Sequence, residues 1–169
     1  MGLRQAIEED IPAVMVLVRS VVPLMNASGN FQWTETYPSE ERFREDASHG
    51  HLWVSTEDEV ILGCASIIPR AFEPDYKDAN WDISQPYVVV HRLAVSPAAR
   101  GKGIAAALLT QAEVVARTEG LEYVRMDTNT QNKATQQLFP KLGYRFTGEI
   151  GLRHRPGLRF VCFEKKIQS

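Results

Sequence analysis

The sequence predicts a mixed α/β fold built around one central sheet. Two features of the pattern carry this. Short apolar runs of strand length alternate with longer stretches whose apolar residues recur at steps of three and four, giving the order β α α β β β α β α β β. A hairpin signal also joins two consecutive apolar runs, 51–56 and 60–69, across Glu57-Asp58-Glu59. The chain of 169 residues, 44% of them apolar, is long enough for one domain to bury about 70% of its unfolded surface, so residues 1–169 are expected to form a single domain.

The elements follow in order. Residues 2–6 read as a short strand. Residues 8–25 read as a helix, with Pro12 suited to its first turn and Ile11, Val14, Leu17, Val21 and Met25 on one stripe; Pro23 is expected to bend or end it. Residues 26–38 form a loop containing Phe31, Trp33 and Tyr37, and Ser39 is placed to cap a short charged helix. After the hairpin, residues 70–86 form a long loop, and 87–95 a β-branched strand. A helix spans 101–119, with Ile104, Leu108, Ala112 and Val115 on one face. Residues 122–128 alternate as a strand, 131–139 form a helix, and two strands close the chain.

Composition excludes several classes. The net charge of −2 gives no global attraction to nucleic acid or to an anionic membrane. Cys64 and Cys162 lie in apolar strand-like runs without metal-ligand spacing, so they read as reduced core thiols, and no metal site is expected. No secretory leader opens the chain, and no apolar run approaches the ~18 residues of a membrane span. A cytoplasmic protein follows as the expectation.

The densest signal is "RGKGIA", Arg100 to Ala105, where a strand gives way to a helix. A helix start exposes unpaired N–H groups and a partial positive charge, and glycines let those amides approach phosphate oxygens. Arg100 and Lys102 add formal charge. Residues 101–106 also match a dinucleotide-binding variant, G-x-G-x-x-A, but "SPAAR" separates them from their strand and too little chain follows for the repeat that fold needs.

These residues resemble the GNAT superfamily of acyl-coenzyme A dependent N-acetyltransferases. "RGKGIA" is similar to its pyrophosphate motif R/Q-x-x-G-x-G/A, with Arg100, Gly103 and Ala105 in the defined places. "HRLAVSP" resembles the family's fourth strand, and "DTNTQNKATQQLFPKLGYRFTGEI", with Asn132 and Leu142-Gly143-Tyr144, its fifth strand and fourth helix. The resemblance implies a mostly antiparallel mixed sheet of about six or seven strands flanked by about four helices, with strands 4 and 5 splayed. It implies acetyl-CoA as cosubstrate. Backbone amides of Arg100, Gly101, Lys102, Gly103, Ile104 and Ala105 would hold the pyrophosphate. Leu93, Ala94 and Val95 would pair with the pantetheine arm, and Asn132 would reach that arm or a nearby water. The amide of Val95 or its neighbour would donate to the thioester oxygen.

Acetyl transfer to an amine needs a neutral nitrogen, which calls for a base. Asp127, acting directly or through water, is the first candidate; it also reads as a cap of "DTNT". His91 is the second, and it also reads as a half-buried residue bonded to backbone. Many family members place a tyrosine seven residues after the Asn as acid for the leaving thiolate; here the position is Phe139, which has no proton to give. Tyr37, Tyr87, Tyr123 or water remain for that role.

Loop aromatics, foremost Trp33, Tyr37 and Trp81, either wall an acceptor pocket or roof the core. The acidic residues of the same loops favour a cationic amine. The basic stretch 151–159 reads as a solvated hairpin tip. The expected activity is acetyl transfer to the primary amine of a small molecule or amino acid. Two alternatives are a non-catalytic acyl-CoA sensor or assembly module and a protein or peptide N-acetyltransferase. A homodimer is left open; nucleic-acid and membrane partners are not expected.

Overall fold

The computed structural model describes residues 2–168. They include seven strands and four α-helices, the inventory expected. The strands are β1 (Gly2–Gln5), β2 (Leu52–Glu57), β3 (Val60–Pro69), β4 (Val88–Val95), β5 (Tyr123–Asn129), β6 (Arg145–Leu152) and β7 (Arg155–Lys166). The helices are α1 (Ile11–Ala27), α2 (Glu40–Ser48), α3 (Ile104–Glu119) and α4 (Lys133–Lys141). The strands make one mixed sheet, antiparallel at β1/β2, β2/β3, β5/β7 and β6/β7. The chain forms two compact units, one of residues up to 67 together with 90–111, the other of 68–89 together with residues from 112 onward.

In the first unit the strand order is β1-β2-β3-β4. Its core joins Ile11, Val14, Leu17, Val18, Val21 and Val22 of α1 to Phe43 of α2 and to Leu52, Val54, Cys64 and Ala94 of the strands. Pro23 does not end α1, which runs through it to Ala27, two residues past the expected end at Met25. A proline inside a helix costs about 3 kcal/mol; the turn beyond it is held by Met25, packed on the core, and by the Asn26 side-chain amide, which donates to Asn30 O and Trp33 O at 3.0 Å each. With the short 3-10 turn before it, this segment makes a 20-residue stretch long and apolar enough by composition to cross a membrane, contrary to the sequence reading. Its apolar stripe packs into the core just described. The β2–β3 hairpin turns at Asp58 and Glu59, both with positive φ, the pair of left-handed residues that suits the twist of a two-residue turn. Ser39 caps α2 as expected, accepting from the Arg42 amide at 3.2 Å.

In the second unit the order is β5-β7-β6. Its core is aromatic: Tyr76, Trp81 and Tyr87 from the 70–87 segment pack with Val89, Ile150, Phe160 and Cys162. α4 ends at Lys141, one residue after Pro140 and two past the expected end at Phe139. Leu142-Gly143-Tyr144 then forms a Schellman closure. The Tyr144 amide bonds Phe139 O at 3.1 Å, the Gly143 amide bonds Pro140 O at 3.0 Å, and Gly143 has φ +91°. The basic stretch is the β6–β7 hairpin tip, where Leu152 faces Arg155. Arg153 pairs there with Asp75, and Arg159 with Glu149. Cys64 and Cys162 are both buried free thiols; burial pushes Cys64 up to about 12 and Cys162 well above its ordinary range.

Candidate active site

The phosphate loop belongs to the first unit. Ala99 and Ile104 are buried and pin its two ends, while Arg100, Gly101, Lys102 and Gly103 are exposed. Gly101 has φ +82° and Gly103 φ +75°, a conformation that glycine alone adopts without strain. A Cβ added at either would meet nothing within 4 Å, so the space above the loop is open. Among the described residues, no acceptor in the chain meets the amides of Gly101 or Gly103, and that of Lys102 makes only a long 3.4 Å bond to Ala99 O. The helical ladder begins at Ala107 N→Gly103 O, 3.0 Å, so the amides of Ile104 and Ala105 precede it. Open space, unspent donors and a helix start fit a diphosphate. Among the described residues Arg100 meets no carboxylate, whereas Lys102 bonds Glu57 at 3.0 Å, so its charge is shared. The helix begins at Ile104 rather than at residue 101, which leaves both glycines in the loop proper.

Gly63 on β3 sets where that helix starts. A Cβ there would lie 2.5 Å from Ile104 Cγ2 and 3.2 Å from Ala94 O, so the close approach of α3 and β4 requires glycine. On β4, Leu93 and Val95 are half-buried and Ala94 is buried. The Ser96 amide bonds Leu62 O at 2.7 Å, which removes it as an oxyanion donor and leaves Val95 as the candidate. His91 is half-buried on the same strand.

Asp127 belongs to the second unit. It lies two residues before the end of β5, opposite Cys162 of β7, and is half-buried. The Tyr76 hydroxyl, fully buried, donates to Asp127 Oδ2 at 2.5 Å. Burial first, then the charge of Asp127, pushes the Tyr76 phenol well above its usual range, so it stays a donor at any working pH. In the sequence Tyr76 is one more aromatic of the 70–86 loop. Residues 76 and 127 carry no local signal of their pairing.

The same face of β5 carries Arg125, 1% exposed, bonded to Glu164 Oε2 at 2.9 Å and to Asp82 O at 2.9 Å. The rings of Tyr123, Tyr87 and Trp81 surround its guanidinium at 4.5, 4.7 and 5.4 Å. Trp81 is buried, with its indole N–H on Thr147 Oγ1, and Trp33 is buried in the first core. Both tryptophans roof a core and offer little surface to an acceptor. Tyr37 is half-buried against the first core. Asn132 caps α4 by accepting from the Thr135 amide at 3.2 Å, so its carboxamide oxygen serves the fold. Phe139 is buried, edge-on to Phe163. Among the described residues, no cluster of three or more His, Cys, Asp or Glu has metal-binding geometry.

A model of the acetyltransferase (GNAT) family matches residues 18–144, well over half of the sequence. The chain belongs to this family. A curated relative, described as an uncharacterized N-acetyltransferase of Bacillus subtilis, is 25% identical over 97% of this chain and 89% of its own length. Among solved structures, a GNAT acetyltransferase from Streptococcus agalactiae is 27% identical, with a TM-score of 0.80 over 99% of this chain and 96% of that one. A Salmonella typhimurium acetyltransferase solved with acetyl-CoA has a TM-score of 0.72 over 100% and 95% of the two chains; at 20% identity it shows the shared fold. This GNAT chain is therefore an acyl-CoA-dependent N-acetyltransferase with acetyl-CoA as its cosubstrate. Its seven-stranded mixed sheet with four helices is the fold of these neighbours.

Proposed function

We propose that this acetyltransferase acts on the primary amine of a small molecule or amino acid by direct attack, with Asp127 as base and the Val95 amide as donor to the thioester oxygen. The observation that carries the reading is the 2.5 Å bond from the buried Tyr76 hydroxyl to Asp127 Oδ2, which orients a half-buried carboxylate on β5. A lysine-like amine with pKa ~10.4 is almost wholly ammonium at neutral pH, and freeing its lone pair costs about 4–5 kcal/mol at 1.36 per unit. Asp127 takes that proton, directly or through water, as nitrogen attacks the thioester carbon. The Val95 N–H steadies the charge that gathers on the carbonyl oxygen. The tetrahedral intermediate collapses with loss of the coenzyme A thiolate.

The second proton, lost by the nitrogen once it has attacked, passes through water to the thiolate. Phe139 has no proton, Tyr37 bonds the Arg92 guanidinium, Tyr76 is buried with its own proton on Asp127, and Tyr87 and Tyr123 pack on the Arg125 guanidinium. A working site in the cytoplasm agrees with two reduced, buried thiols.

The test is free-thiol release from acetyl-CoA with a panel of small amines, amino acids and peptides. Asp127→Asn should lower kcat/KM by about 100-fold while leaving acetyl-CoA binding unchanged. Full turnover in that variant would remove Asp127 as the base. Turnover on peptides alone would move the acceptor to proteins, and binding without turnover on any amine would point to a sensor.

A further inference from the structure

Among the described residues, five other than glycine have positive φ: Asp58, Glu59, Arg70, Asn80 and Arg92. Four lie in turns or just beyond a strand. Arg92, at φ +53°, lies in the middle of β4, next to Leu93. Burial along β4 reflects this, because it does not alternate: Val88, Val89 and Val90 are all buried, and the next three residues are half-buried. A bulky left-handed residue inside a strand persists only where its surroundings over-determine it.

Those surroundings are built from separate segments of the first unit. Asp46 of α2 receives the Arg92 guanidinium on both oxygens, Nε to Oδ2 at 2.7 Å and Nη2 to Oδ1 at 3.1 Å. Both side chains are under one-tenth exposed. Ser66 of β3 donates to Asp46 Oδ2 at 2.6 Å, the Cys64 thiol reaches Arg92 O at 3.7 Å, and Tyr37 of the 26–38 loop bonds the guanidinium. Stability does not explain such a pair, since apolar replacements of buried ion pairs are often neutral or stabilising. A bidentate fork does fix geometry.

We infer that Asp46 is a positioning residue of this acetyltransferase: through its fork on Arg92 it holds the left-handed kink of β4 and so sets the direction of the Leu93–Val95 amides. The inference rests on the reading that those amides face the thioester arm.

Two variants test it. Asp46→Asn removes the charge that grips the fork while keeping the side-chain shape. Asp46→Asn with Arg92→Gly then puts at residue 92 the amino acid for which left-handed φ has no steric cost. Amide hydrogen exchange of residues 90–95 and calorimetric affinities for acetyl-CoA and for coenzyme A are the readouts. Asp46→Asn should speed exchange in β4 about tenfold and weaken the preference for acetyl-CoA over coenzyme A, and the double variant, relieved of the steric cost but not held by the fork, should recover part of both. Unchanged exchange in Asp46→Asn overturns the inference, and so does a double variant that stays as loose as the single one. If Asp46→Asn alone does not fold, a folded double variant still supports it, and failure of both overturns it. A wild-type protein that binds neither ligand defeats the functional reading instead, while the exchange arm still reports on β4.

Discussion

Tyr76 and Asp127 show how one hydrogen bond orders a reactive group. The phenol lies wholly inside the second unit, and its proton sits on the carboxylate. Tyr76→Phe keeps the ring, which the neighbouring Trp81 at 4.5 Å still packs against, and removes only the donor. A hydrogen bond to a charged group contributes about 1.5–3 kcal/mol, so kcat should fall roughly tenfold or more with acetyl-CoA binding unchanged in the steady-state assay. An unaltered kcat would make the bond structural. Asp127 itself was legible in the sequence as an acidic residue on a strand preceding a helix. Its partner was not, because Tyr76 is 51 positions away in a loop whose path only the folded core decides.

Two glycines separate a packing role from a binding role at the scale of elements. Gly63 has ordinary backbone but no room, so Gly63→Ala must push Ile104 and β4 apart and should cost about 1–3 kcal/mol in chemical denaturation. Because Ile104 opens α3, the same variant should weaken acetyl-CoA binding. Gly103 is the converse, with open space and left-handed backbone. Gly103→Val should lower stability by only about 1–2 kcal/mol, yet abolish acetyl-CoA binding in calorimetry, since its side chain would fill the space a diphosphate needs. Equal affinities in Gly103→Val and wild type would defeat the phosphate-loop reading. Local chemistry made some elements legible, as Ser39 announced α2; Asn132 as the cap of α4 and Leu142-Gly143-Tyr144 as its Schellman end are findings of the structure at positions the resemblance had marked for other reasons. Pro23 left open whether α1 would end there, because what carries the helix past it, Met25 on the core and Asn26 tied to Asn30 and Trp33, depends on the assembled fold.

For the whole molecule, pH offers a test. Burial first, then the neighbouring His49 ring 5.6 Å away, holds His51 below its ordinary 6.5; Arg92 acts in the same direction and Asp46 opposes. The unfolded chain therefore takes up this proton first as pH falls. The stability that His51 contributes is complete above about 6.5 and declines as pH drops through that value toward the lower pKa of the folded state. The melting temperature should fall between pH 7.5 and 5.5, and His51→Gln should flatten that slope. A slope indifferent to His51→Gln would assign the acid sensitivity to other groups.

The sequence by itself determined the order of strands and helices, the Ser39 cap of α2, and the glycine loop whose spacing resembles the GNAT pyrophosphate motif. All of these are written in residues within a few positions of one another, where backbone propensity and capping act. Only the tertiary structure decided that Trp33 and Trp81 belong to cores, that Tyr76 serves Asp127, and that Asp46 grips Arg92 across 46 positions. Such pairings follow from which faces the assembled core buries, because a polar group taken out of water must find its partner wherever the fold brings one within reach.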